Sequence, residues 1–149
     1  MPRSLNPNQF LTPDERKQLT DAVQEAESKT SSQIKVVLLR HCWGKLTDKA
    51  SSLFIKYGLD QLPDRNGVLI LLVLTNRELL IYGDEGINDK VDDDFWTNIH
   101  DQMTTAFKNN DMGTGLEQGI QQIGKQLAIH FPRGLNHENT VDDQPVFEK

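Results

Sequence analysis

The sequence predicts an α/β fold, a three-layer α/β/α sandwich around a small mixed sheet. Three observations carry this. The aliphatic run Val68-Leu-Ile-Leu-Leu-Val-Leu74 has no polar alternation, as expected of a strand covered on both faces by helices. Several segments repeat apolar residues at spacings of three and four, the mark of amphipathic helices. These two kinds of segment interleave in the order α-β-α-β-β-α-α. A length of 149 residues fits one domain. Its expected limits are a flexible arm over 1–10, a folded domain over 11–132 and a disordered tail over 133–149, since neither end shows a period of 2 or 3.6.

The first helix opens at Leu11-Thr-Pro-Asp-Glu15. Thr12 can cap, Pro13 suits the first helical position, and Glu15 completes a capping box. Leu19, Val23 and Ala26 form its apolar stripe, and Ser31-Ser32 ends it. Ile34 to Leu39 is β-branched and aliphatic and reads as the first strand. Thr47 is the expected cap of a second helix striped by Ala50, Leu53, Phe54 and Tyr57, with Gly58 as its stop. The aliphatic run is the second strand, Thr75-Asn76 a two-residue turn, and Glu78 to Tyr82 the third strand of a hairpin. Asp92-Asp-Asp94 begins a helix bearing Phe95, Ile99, Met103 and Ala106, its acids facing the positive end of the helix dipole. Gly113 and Gly115 lead into a last helix striped by Leu116, Ile120, Ile123, Leu127 and Phe131.

Sixteen Lys and Arg against 22 Asp and Glu leave a formal charge of −6, which disfavours binding to a nucleic-acid backbone. Cys42 is the single cysteine, so no internal disulfide can form. No apolar run approaches the ~20 residues that span a bilayer, and Met1-Pro-Arg-Ser-Leu-Asn6 has no apolar signal core, so the expected compartment is the cytoplasm, without direct membrane insertion.

Familiar enzyme signatures are missing. The sequence has no Gly-rich phosphate loop ending in Lys-Ser/Thr, no His-Glu-x-x-His and no Gly-x-Ser-x-Gly elbow. A cysteine phosphatase would need an arginine six positions after Cys42, where Asp48 stands, and Asp92-Asp-Asp-Phe-Trp96 departs from Asp-x-Asp-x-Thr. His41, His100, His130 and His137 form no spaced ligand pair and read as structural or surface residues.

The anomaly is Asp84 to Asp94, with six acids and one base in eleven residues. One reading is a solvated loop plus an acid-rich helix start. The other is a hard-cation site, because Ca²⁺ and Mg²⁺ take oxygen ligands. The spacing is not that of an EF-hand. Hairpin geometry favours the cation. A turn at Thr75-Asn76 sets Gly67 opposite Asp84 and Asn66 opposite Glu85, which lays Pro63-Asp-Arg-Asn66 against Gly83-Asp-Glu85. A right-handed β-α-β crossover makes the first two strands parallel and brings Glu27 to the same rim. The candidate ligands are therefore Asp64, Asn66, Asp84, Glu85 and Glu27, with a cation or Arg65 offsetting their mutual repulsion.

These residues also carry a resemblance. The chain resembles the TPM domain family, in its compact stand-alone bacterial form, from about Leu11 to Pro132. The matching pieces are Leu11-Thr-Pro-Asp-Glu, Glu27-x-x-Thr-Ser, Ile34-Lys-Val, Asn66-Gly-Val-Leu-Ile, Tyr82-Gly-Asp-Glu-Gly-Ile-Asn, Asp94-Phe-Trp and His130-Phe-Pro, in that order. The resemblance implies an α/β/α sandwich on a four-stranded sheet, one strand more than the sequence marks. It also implies divalent cations, typically calcium, at acidic loops matching Asp64, Asp84 and Glu85. Some members of the family are acid phosphatases and others accessory subunits in membrane-protein assembly or repair. The chain departs from the pattern at Gln33, where relatives often carry an acid, and at Val36-Val37, where they are more polar. The expected function is a Ca²⁺- or Mg²⁺-binding regulatory or protein-interaction module. The alternatives are a metal-assisted acid phosphatase, with Arg65 clamping phosphate, and a structural domain without a ligand.

Overall fold

Two strands, one wholly apolar and the other apolar but for Lys35, sit where helices shield both their faces, and they form the middle of the sheet. In the computed structural model, which describes residues 3–133 and 145–148, β1 (Ile34–Leu39) and β2 (Val68–Val73) are buried at every position. They run parallel, Ile34 beside Val68 through Leu39 beside Val73. β3 (Glu78–Gly83) pairs antiparallel with β2, from Val73 opposite Glu78 to Val68 opposite Gly83. That is the register which a turn centred on Thr75-Asn76 demands.

A fourth strand, β4 (Val146–Glu148), lies parallel to the other edge of β1 and completes the order β3-β2-β1-β4. Here the structure corrects the expectation of a disordered end. The free edge of β1 offers a row of backbone donors and acceptors, and a three-residue strand pairs with it without needing any side-chain period. Residues 134–144 lie outside the described residues.

Helices α2 (Pro13–Glu27), α5 (Asp93–Lys108) and α6 (Met112–His130) cover one face of the sheet, packing Leu19, Val23, Ile99, Met103 and Ile120 against Val36, Leu38, Ile70 and Leu72. Helix α3 (Leu46–Lys56) and a 3₁₀ turn (Leu59–Gln61) cover the other, with Leu53, Phe54 and Leu59 against Val37, Leu69 and Leu71. Alternate residues of one strand thus feed two cores, which is the three-layer arrangement the sequence predicts. Helix α3 begins one residue before the expected cap Thr47, and no side chain caps it; Gly58 does close it, at φ +75°. Two short helices form where loop was expected, α1 (Pro7–Phe10) and α4 (Glu85–Asn88).

The capping box at Thr12 and Glu15 is present in both directions. It also ties down the N-terminal segment, which is not a loose arm over its described residues. Asn6 caps α1, Phe10 is buried with its ring edge-on to Phe107 at 5.6 Å, and Arg3 forks onto the Glu15 carboxylate while stacking over Phe10. Burial pushes the Glu15 carboxyl up, but hydrogen bonds from Arg3 and Thr12 and the Arg3 charge outweigh it and hold the group below its ordinary value. A carboxylate depressed in this way stabilises the fold above its unfolded pKa and loses that contribution as pH falls through the lower folded value. Arg3→Ala is expected to raise the Glu15 midpoint in a carboxyl NMR titration. It should also make urea stability less sensitive to acid below about pH 5.

Candidate functional site

The rim is built where the chain enters β2 and leaves β3. Antiparallel pairing continues past the strand ends: the Asp84 N–H donates to the Gly67 carbonyl at 3.0 Å and the Gly86 N–H to the Arg65 carbonyl at 2.8 Å. Loop 63–66 therefore lies against the start of α4, as the hairpin register predicts. The approach is close. A Cβ on Gly86 would stand 2.2 Å from the Asp64 carbonyl oxygen and 2.5 Å from that of Arg65, so only glycine fits. Arg65 itself adopts the left-handed region at φ +51°, which turns its side chain back over β3.

Four of the five predicted ligands fall into two groups, and Glu27 joins neither. In the first, Ser31 Oγ donates to Asp64 Oδ2 at 2.9 Å and accepts from Asn66 Nδ2 at 3.0 Å, while Ser32 Oγ donates to the Asn66 carbonyl. Asn66 is fully buried, and its Oδ1 has no hydrogen-bond partner among the described residues. In the second, Arg65 forks onto Asp84, Nε to Oδ2 at 3.0 Å and Nη2 to Oδ1 at 3.2 Å, and Nη1 lies 3.4 Å from Glu85 Oε1. Asp84 also caps α4, accepting from the Glu85 N–H at 2.8 Å. Its side chain is only 9% exposed, against 51% for Arg65 and 70% for Glu85. Glu27 stands behind the rim, buried, with Oε2 accepting the first N–H of β1 from Ile34 at 2.7 Å.

Hydrogen bonding to Asp84, then the charges of Asp84 and Glu85, raise Arg65 above its ordinary value, so it stays cationic throughout. Among the described residues, no three His, Cys, Asp or Glu side chains gather in a metal-holding group. Any cation here would draw on amide, hydroxyl and carbonyl oxygens as well as carboxylates. The second group opens on a cleft of 590 Å³ lined by Arg65, Tyr82, Asp84, Glu85, Asn88 and Trp96 among others. Trp96 is fixed as its wall, Nε1 donating to Asn88 Oδ1 at 3.1 Å while Asn88 Nδ2 donates to the Gly83 carbonyl.

The sequence reading missed the part played by Ser31, taken only as a helix end, because its partners Asp64 and Asn66 lie more than thirty residues away. Elsewhere, the structural reading of His100 suits the geometry. His100 Nε2 bonds the Leu79 carbonyl at 2.7 Å, and Cys42 is half-buried beside an exposed Trp43.

A three-layer α/β/α domain with an acidic, oxygen-lined rim at one end of its central hairpin is the class that fold and site define. The model of the TPM domain matches residues 5–126, and the chain belongs to that family. It is similar to the BA42 protein of the psychrophilic bacterium Bizionia argentinensis, known from an NMR structure, at 34% identity over 94% of this chain and 97% of that one, with a TM-score of 0.86. It also shares the fold of the N-terminal domain of a P. gingivalis protein, at 21% identity, 87% and 82% coverage and a TM-score of 0.67. No curated protein matches the chain. Among the described residues, no helix is long and apolar enough to cross a membrane.

The closeness at Gly86 is the feature of the rim most exposed to mutation. Gly86→Ala must push the α4 start off loop 63–66 and is expected to cost about 1–3 kcal/mol of stability, measurable as a lower urea midpoint with an unchanged slope.

Proposed function

We propose that the rim binds a divalent cation of the calcium type and that the domain acts as a cation-dependent regulatory or protein-interaction module. The observation that carries this is the buried Asn66 Oδ1 without a hydrogen-bond donor. An oxygen shut away from water with unused lone pairs is costly, and a hard cation is one natural partner for it. The surrounding donors suit Ca²⁺ or Mg²⁺ rather than a soft metal: Asp64, Asn66 and Asp84 would hold the ion, with Glu85 and Glu27 as further carboxylates. Ordering loop 63–66 against α4 would shape the rim for a protein partner. A lone cysteine needs no oxidising compartment, which suits the cytoplasm.

A second reading uses the same cleft for phosphomonoesters. It is favoured by the half-exposed Arg65, which lines the cleft and could exchange Asp84 for a phosphate, beside Asp84 and Glu85, which could position a water. A bound cation would supply charge to polarise a phosphoryl oxygen.

Calorimetric titration of Ca²⁺ and Mg²⁺ tests the cation that both readings use. Wild type is expected to release or absorb heat and to gain ~2.7 kcal/mol at a hundred times the dissociation constant, while Asp84→Asn binds far more weakly. No heat and no melting shift at millimolar metal would remove the cation. In a chromogenic phosphate-ester assay, the second reading requires hydrolysis that disappears in Asp84→Asn; hydrolysis that persists would come from a contaminant.

A further inference from the structure

We infer that Arg65 is the built-in competitor of the rim cation, occupying the Asp84 carboxylate until a divalent ion displaces its side chain into the Trp96 cleft. This rests on the cation reading and adds how that site is regulated. The backbone of Arg65 is pinned, its N–H bonded to the Leu62 carbonyl and its own carbonyl to Gly86, so only the side chain is free to move. Its partner cannot follow: the Asp84 side chain is nearly buried and already caps α4, whereas half of the Arg65 side chain is open to the cleft.

Charge sets the direction of exchange. One guanidinium offsets one of the two adjacent carboxylates, Asp84 and Glu85, whereas a divalent ion offsets both. A guanidinium in this position does not lose its proton, so Asp84 is freed by displacement and not by titration. Independently, the unpartnered, fully buried Oδ1 of the neighbouring Asn66 marks this loop as a place where an electropositive ligand is wanted. The metal-free rim is thus partly neutralised by its own arginine, and the ion must compete for it.

The test is calorimetric titration of calcium chloride into the full chain as wild type, Arg65→Gln and Arg65→Lys. It is joined by NMR observation of the Arg65 Nε–Hε signal in wild type. Arg65→Gln is expected to bind calcium about five-fold tighter or more, Arg65→Lys to fall between because it keeps the charge but loses the fork, and the Nε–Hε signal to shift as calcium is added. Binding by Arg65→Gln alone also supports the competition. Equal or weaker binding by a folded Arg65→Gln, or a wild-type signal unmoved at saturation, overturns the inference while leaving the cation site standing. Absence of binding in all three proteins overturns both.

Discussion

Asp84 and Glu85 are neighbours in sequence at the edge of a hairpin, and one guanidinium holds them there. The Arg65 fork closes the end of the β2–β3 pair, anchors the first turn of α4 through Asp84 and shapes one wall of the cleft. Each depends on the others. The φ of +51° at Arg65 aims the side chain, the bare Cα of Gly86 lets α4 press on the Asp64–Arg65 backbone, and the continued ladder sets the register in which the charges meet. An acidic rim of this kind persists only with a positive counterpart, and the chain carries that counterpart within the same loop.

The second half of the rim is governed by desolvation. Ser31, Ser32, Asp64 and Asn66 come together where the chain leaves α2 and where it enters β2. Buried polar groups are matched almost everywhere in folded proteins, so the unmatched amide oxygen of Asn66 at a loop junction bears on ligands. Glu27 also serves the fold, accepting the first N–H of β1 and so securing the strand against the end of α2. The family model spans residues 5–126, and the likeness to the BA42 structure covers 94% of the chain.

Much of the fold was legible because the signals were local and redundant. The aliphatic run at Val68 reads as a buried strand, Thr12 and Glu15 mark a helix start by reciprocal hydrogen bonds, and the Thr75-Asn76 turn fixes the hairpin register from which Gly67 opposite Asp84 follows. What escaped was short. Helix α1, helix α4 and strand β4 span three or four residues each, too few to show a period, and they form because a neighbouring element offers unpaired backbone or an apolar seat. The seat of Phe10 against Phe107 joins residues nearly a hundred positions apart.

The linear chain by itself determined the layer order, the main strands and helices, and the meeting of loop 63–66 with Asp84 and Glu85, because periodicity and strand pairing are properties of nearby residues. Tertiary structure alone decided which charges neutralise which, that Asp64 and Asn66 share Ser31, that Glu27 turns to the β1 backbone, and that the Asn66 amide oxygen lacks a hydrogen-bond partner. Those outcomes depend on distances of a few ångströms between segments far apart in sequence, where burial and hydrogen-bond geometry, not composition, choose the partner.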